Sequence, residues 1–162
     1  MSDLNFSIKG VSETPTKFVA EARNFKIVVD EPPTLGGTDH GANPVEYLLA
    51  SYAGCLNVMG HLIAVELGFK LDKLEIVVSG NLNPDRLFGK SFTDRAGFKK
   101  IQVTLKPYAA ITPELLKIWI QEVENRCPIN DNLGSITPIE IKVLNNFTKK
   151  DFIYTAGDVV FL

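Results

Sequence analysis

Apolar residues recur with two different periods along this chain, and the places where the period changes mark its elements. Lys17 to Ala22 and Phe25 to Asp30 read as two strands turning at Arg23-Asn24, and Glu31-Pro32-Pro33 stops the second. A Gly-rich loop from Thr34 to Ala42 leads to Asn43-Pro44, where Asn43 is placed to cap a helix and Pro44 to occupy its first position. That helix stays apolar nearly all round until Gly68, so the pattern predicts that sheet or a partner subunit covers it on most sides. Leu74-Ile76-Val78 and Ile101-Val103-Leu105 alternate with polar residues and predict two strands with one face to the core. Asn81 to Gly97, between them, carries Pro84, Gly residues and several charges, and reads as a long loop or flap.

Thr112-Pro113-Glu114 starts a second helix with a cap, a Pro at the first position and an acid in the first turn. Pro128 follows Cys127 directly, so the helix must bend, end or restart there. Ile139-Ile141-Val143 predicts a further strand, and Phe147 to Leu162 a terminal hairpin. The order of elements is that of an α+β protein, and 162 residues of 17.9 kDa fit one domain, 1–162, with its own core.

A net charge of -2 without a basic cluster gives no footing for nucleic acid or an anionic membrane. Val45 to Leu67 has the length of a membrane span, but Glu46, Asn57, His61 and Glu66 interrupt it and favour a core helix. Met1 to Asn5 lacks the blocks of a signal peptide, which points to a cytoplasmic protein whose cysteines are thiols and not a disulfide framework.

Those cysteines, Cys55 and Cys127, carry the candidate chemistry. If they meet in space they form a redox pair, one thiolate attacking an oxidant and the other resolving the sulfenic acid as a disulfide. The alternative is two buried structural thiols. On a helical wheel Leu48, Ser51, Tyr52, Val58, Met59 and Leu62 lie within roughly 60° of Cys55, which predicts an apolar pocket around it. Such a pocket raises a thiol pKa, so a reactive thiolate there needs a cation or hydrogen-bond donors. Arg126 beside Cys127 is one candidate, although a cation in the last turn of a helix is also ordinary.

From about Phe25 to Val143 the chain resembles the OsmC/Ohr family, the osmotically inducible protein C and organic hydroperoxide resistance proteins. The resemblance rests on Asp30-Glu31-Pro32-Pro33-Thr34-Leu35-Gly36-Gly37, Gly41-Ala42-Asn43-Pro44, the helix bearing Cys55, and Cys127-Pro128-Ile129-Asn130. It implies antiparallel sheets packed around two long central helices in an intertwined homodimer with sites at the subunit boundary. It also implies a cysteine-based peroxidase needing no bound cofactor or metal. Cys55 would attack an organic hydroperoxide, Cys127 would resolve it, and an external dithiol, typically of lipoyl type, would reduce the disulfide. In the family an Arg from the N-terminal strands, held by a Glu from the start of the cysteine helix, activates the thiol. Here the register puts Lys17 at the Arg position, and the acid is Glu46, one place later than in the peroxidases. Glu46 lies nine residues from Cys55, ~14 Å along the helix and on its opposite side, so it would act across the dimer interface or serve only the helix start.

A second reading is a non-catalytic dimer that binds a small apolar or thiol-containing ligand, or acts as a redox sensor. His40, His61 and the scattered ligand types give neither a Cys–His hydrolase pair nor a metal doublet. Residues 147–162 extend beyond the resemblance.

Overall fold

The computed structural model describes residues 2–144 in full and the backbone of 152–155 and 158–161. Its first sheet is antiparallel in the order β1 (Lys9–Ser12), β2 (Phe18–Ala22), β3 (Phe25–Val29). The turn between β2 and β3 falls at Arg23-Asn24 as the pattern predicts, with Arg23 at φ 58 in the left-handed region that two-residue hairpins favour. β1 is an addition to the elements read from the sequence. Its stretch Lys-Gly-Val-Ser carries no alternation, and only its ladder to β2 makes it a strand.

The path from β3 to the first helix is set by Asp30, which is buried. Its carboxylate accepts from the Thr38 hydroxyl (2.6 Å) and from the backbone N–H groups of His40 (3.1 Å), Thr38 (3.1 Å) and Glu31 (2.9 Å). The Thr38 hydroxyl first, and then these N–H groups, outweigh burial and hold its pKa at about 2. Gly37 permits the tight return, since a Cβ there would stand 1.7 Å from the carbonyl oxygen of Glu31.

Helix α1 (Pro44–Glu66) begins with a full capping box. Asn43 Oδ1 accepts from the Glu46 N–H, and the Glu46 carboxylate accepts from the Asn43 N–H, each at 2.9 Å. β4 (Lys73–Asn81) and β5 (Lys100–Tyr108) then pair antiparallel over their whole length, joined by the flap at 82–99. α2 (Pro113–Arg126) starts at its Thr112 cap, and after the break at Cys127 the chain restarts as α3 (Pro128–Gly134). β6 (Glu140–Val143) pairs with β7 (Phe152–Thr155), and β7 with β8 (Asp158–Phe161), so the terminal hairpin extends the last family strand. The rest of 145–162 lies outside the described residues.

α1 packs against both α2 and β4. Leu56, Ile63 and Ala64 meet Trp119, Val123 and Cys127 in the buried core, and the Trp119 indole N–H donates to the Gly60 carbonyl at 2.9 Å. Gly60 makes this crossing close, because a Cβ there would stand 2.9 Å from Leu74 Cδ2 and 3.1 Å from Trp119 Cζ2. The expectation of a helix covered on most sides needs correction for a single chain. Only the seam Leu56, Gly60, Ile63, Ala64 is buried, while Val58, Leu62 and Val65 on the other face are 62%, 45% and 77% exposed. By length and composition α1 could also cross a membrane, but its seam is filled by α2 side chains.

Candidate active site at the paired cysteines

The α1–α2 crossing brings together two thiols that are 72 positions apart. Cys55 lies in the middle of α1, beside the buried seam. Cys127 lies where Pro128 forbids continuation of α2, and its extended backbone (φ -80, ψ 111) makes it at once the last residue of one helix and the cap of the next. Both cysteines are free thiols, and their sulfurs are 2.8 Å apart. An S–S bond is about 2.05 Å long, so closing a disulfide requires a movement of under about 1 Å.

Cys127 is buried and Cys55 half-buried. Burial, and next the Cys127 thiol, push the Cys55 pKa up. The backbone N–H of Ile129 opposes them by donating to the Cys55 sulfur, while the Asn130 N–H donates to Cys127 Sγ at 3.4 Å. The free N–H groups at the start of α3 thus face both sulfurs and supply the hydrogen-bond donors that a thiolate in this setting requires.

Side chains close the site on one side. Tyr52, one turn before Cys55, donates its hydroxyl to Asn130 Oδ1 at 2.5 Å. Burial first, and then the charges of Cys127, Glu124 and Cys55, raise the Tyr52 pKa, so the phenol stays protonated and remains a donor. Asn130 therefore joins the cysteine pair to Tyr52 through its N–H and its side-chain oxygen. Tyr52 also lines two cavities. One, of about 310 Å³, is lined by Tyr52, Leu56, Val103, Leu105, Ile120 and Glu124 between the helices and β5. The other, of about 410 Å³, opens under the flap and includes Tyr52, Asn130, Leu48 and Arg95 in its wall.

Around Cys55 the wheel needs revision. Tyr52 and Met59 do pack beside it against the core, but Leu48, Ser51, Val58 and Leu62 are exposed in the chain, because the thiol sits at the edge of the buried seam and not at its centre. Arg126 does not serve the thiols. Its guanidinium holds the Glu66 carboxylate through Nη1 and, at 3.0 Å, through Nη2, tying the ends of α1 and α2 together. Lys17 Nζ lies 2.8 Å from the Glu13 carboxylate and 3.4 Å from His40 Nδ1, in the first sheet and its neighbouring loop. Glu46 is held in the capping box. Within one chain neither Lys17 nor Glu46 is brought to the cysteines. His61 bonds back to the Asn57 carbonyl of its own helix. Reasoning from sequence quoted Asn130 only as part of a motif and gave it no role, although its place three residues after Cys127 at a helix start could have suggested one.

The sequence profile of the family described as OsmC-like protein matches residues 37–142. A hydroperoxide reductase of Mycoplasma pneumoniae is 23% identical over 141 residues, covering 87% of this chain and 95% of that protein. The crystal structure of an OsmC-like protein from Mycoplasma pneumoniae superposes with a TM-score of 0.71 at 23% identity, over 83% of this chain and 91% of that one. An organic hydroperoxide resistance protein from Legionella pneumophila does so with a TM-score of 0.60 at 18% identity, over 82% and 91%. With the profile spanning well over half of its length and the same fold in these relatives, the chain belongs to the OsmC-like protein family.

Proposed function

We propose that the protein reduces organic hydroperoxides at the Cys55–Cys127 pair. The observation that carries this reading is the 2.8 Å approach of two free thiols beneath backbone N–H donors, one thiol half-buried and the other buried. The names of its relatives, a hydroperoxide reductase and an organic hydroperoxide resistance protein, support the substrate class.

The Cys55 thiolate attacks the terminal oxygen of ROOH. The O–O bond breaks, RO⁻ leaves and takes up a proton as the alcohol, and Cys55 becomes a sulfenic acid. The Cys127 sulfur then attacks the Cys55 sulfur, the S–O bond breaks, and the oxygen departs as water. An external dithiol returns two electrons and two protons by thiol–disulfide exchange. Cys55 is assigned the first step because it is the more accessible of the two thiols, and Cys127 the second because it is buried behind it. Lys17 and Glu46 can enter this site only from a second subunit. A dimer also explains the apolar face of α1 that one chain leaves uncovered at Val58, Leu62 and Val65.

The test is dithiol-dependent turnover of cumene hydroperoxide and hydrogen peroxide by the wild type, Cys55→Ser and Cys127→Ser. Turnover lost in both variants, and at least about tenfold more efficient with the apolar peroxide, supports the reading. No turnover with several dithiols would leave the site to ligand binding or redox sensing.

A further inference from the structure

Tyr52 and Asn130 hold the break at Cys127, and the cysteine mechanism gives neither of them a step. Both ends of the Asn130 amide are engaged. Its Oδ1 accepts from the Tyr52 hydroxyl at 2.5 Å, and its Nδ2 donates at 3.2 Å to the carbonyl of Glu124, in the last turn of α2. Its backbone N–H donates to Cys127 Sγ at 3.4 Å. One residue of α3 thereby joins α1, α2 and the second thiol. The helix it belongs to has little else to secure it, since α3 is seven residues long and none of them is fully buried. Among the described residues, the Tyr52–Asn130 contact is the one hydrogen bond between side chains that ties α3 to α1. The Tyr52 ring, in turn, is packed against the buried core.

Where α3 sits decides how easily the two sulfurs bond. Their 2.8 Å separation must close to about 2.05 Å, and Cys127 must approach Cys55 in line with the bond that breaks. A reacting group displaced by about 1 Å can cost on the order of 100-fold in rate. We propose that Tyr52 is a positioning residue for the resolving step: its hydroxyl, acting through Asn130, holds the α2–α3 break so that Cys127 stays within bonding reach of Cys55 while both are reduced. Once the disulfide has formed, the covalent bond holds the break by itself, so the clasp acts on the reduced pair. Without it the reduced chain gains arrangements in which α3 swings away and the sulfurs part. The identity of the oxidant rests on the function proposed above; the positioning of the thiols does not.

Equilibration with glutathione tests this without any peroxide. The reduced chain passes two electrons and two protons to glutathione disulfide, the Cys55–Cys127 bond forms and two glutathione thiols are released, so the equilibrium measures the effective concentration of one protein thiol at the other. The wild type is compared with Tyr52→Phe, Asn130→Ala, their double variant and Tyr47→Phe, each checked for folding by the fluorescence of the single tryptophan. Tyr52→Phe keeps the packed ring and removes only the hydroxyl. Tyr47→Phe removes a hydroxyl of the same helix whose bond goes to the Val28 carbonyl. The effective concentration should fall at least about tenfold in Tyr52→Phe and in Asn130→Ala, scarcely further in the double variant, and stay within about twofold of the wild type in Tyr47→Phe. A hydroxyl of merely structural value would stabilise both redox forms alike and leave the equilibrium unmoved. An unchanged value in Tyr52→Phe, or an equal fall in Tyr47→Phe, overturns the proposal. With one equivalent of cumene hydroperoxide, dimedone should capture Cys55 in Tyr52→Phe and not in the wild type. The expected fall in the glutathione equilibrium, with the peroxide left intact by wild type and variants, would uphold the positioning role and remove the peroxidase reading. Peroxide consumption with an unmoved equilibrium would do the reverse.

Discussion

Gly60→Ala tests the close crossing that sets the geometry of the whole site. In an unobstructed helix interior the change would stabilise by about 1 kcal/mol, because alanine gives up less backbone entropy on folding. Here the new methyl would stand 2.9 Å from Leu74 Cδ2 and 3.1 Å from Trp119 Cζ2. The leucine end can rotate aside. The indole cannot yield freely, since it is buried and its N–H is bonded to the carbonyl of the same Gly60. Overpacking of this kind costs about 1–3 kcal/mol, so after the helix gain the variant should be less stable by about 1 kcal/mol. Gly60→Val, which forces two further methyl groups into the same gap, should lose several times as much. Urea unfolding at fixed protein concentration, followed by the fluorescence of the chain's single tryptophan, measures both. Because α2 must move for the methyl to fit, the Cys55–Cys127 disulfide should also form more slowly. A gain of about 1 kcal/mol with unchanged disulfide kinetics would refute the contact between the helices at this point.

Three further outcomes follow from the local chemistry. Cys55 is pushed up by burial and by Cys127, so its alkylation by iodoacetamide should be slow at neutral pH and keep rising above the ordinary thiol range, and Cys127→Ala should shift that profile to lower pH. A profile that levels off below pH 7 would contradict the site's electrostatics. The Asp30 pKa is lowered to about 2, so its contribution to stability is complete above the ordinary Asp pKa of about 3.9 and is lost as pH falls through about 2. Asp30→Asn should remove that part of the acid transition, and an unchanged acid transition would count against the buried carboxylate. Glu46→Ala should cost about 0.3–1.5 kcal/mol through the capping box, while Glu46→Gln should retain most of the stability; a Gln variant that folds normally yet loses turnover would show that the charge itself acts.

Much of this architecture was readable in the sequence where a residue type has only one comfortable place. Asn43-Pro44 and Thr112-Pro113 each marked a helix start, and Cys127-Pro128 marked the break that gives Cys127 its position. The cysteine contexts pointed to a pair, and the fold brings the sulfurs together. What stayed hidden depends on the third dimension. β1 exists only through its ladder to β2, and the buried seam of α1 runs beside Cys55 and not through it, which exposes Val58 and Leu62. A helical wheel gives angles around Cys55 but not where the partner elements lie.

A single-turnover reaction is the most direct test of the central claim. Reduced protein is mixed with one equivalent of cumene hydroperoxide under anaerobic conditions, free thiols are counted, and the digested peptides are identified by mass. Both thiols should disappear together with one equivalent of cumyl alcohol formed, and a single cross-linked peptide should join Cys55 to Cys127; in Cys127→Ser a dimedone adduct should appear on Cys55 alone. Thiols that remain intact while the peroxide persists, or a first adduct on Cys127, would contradict the account.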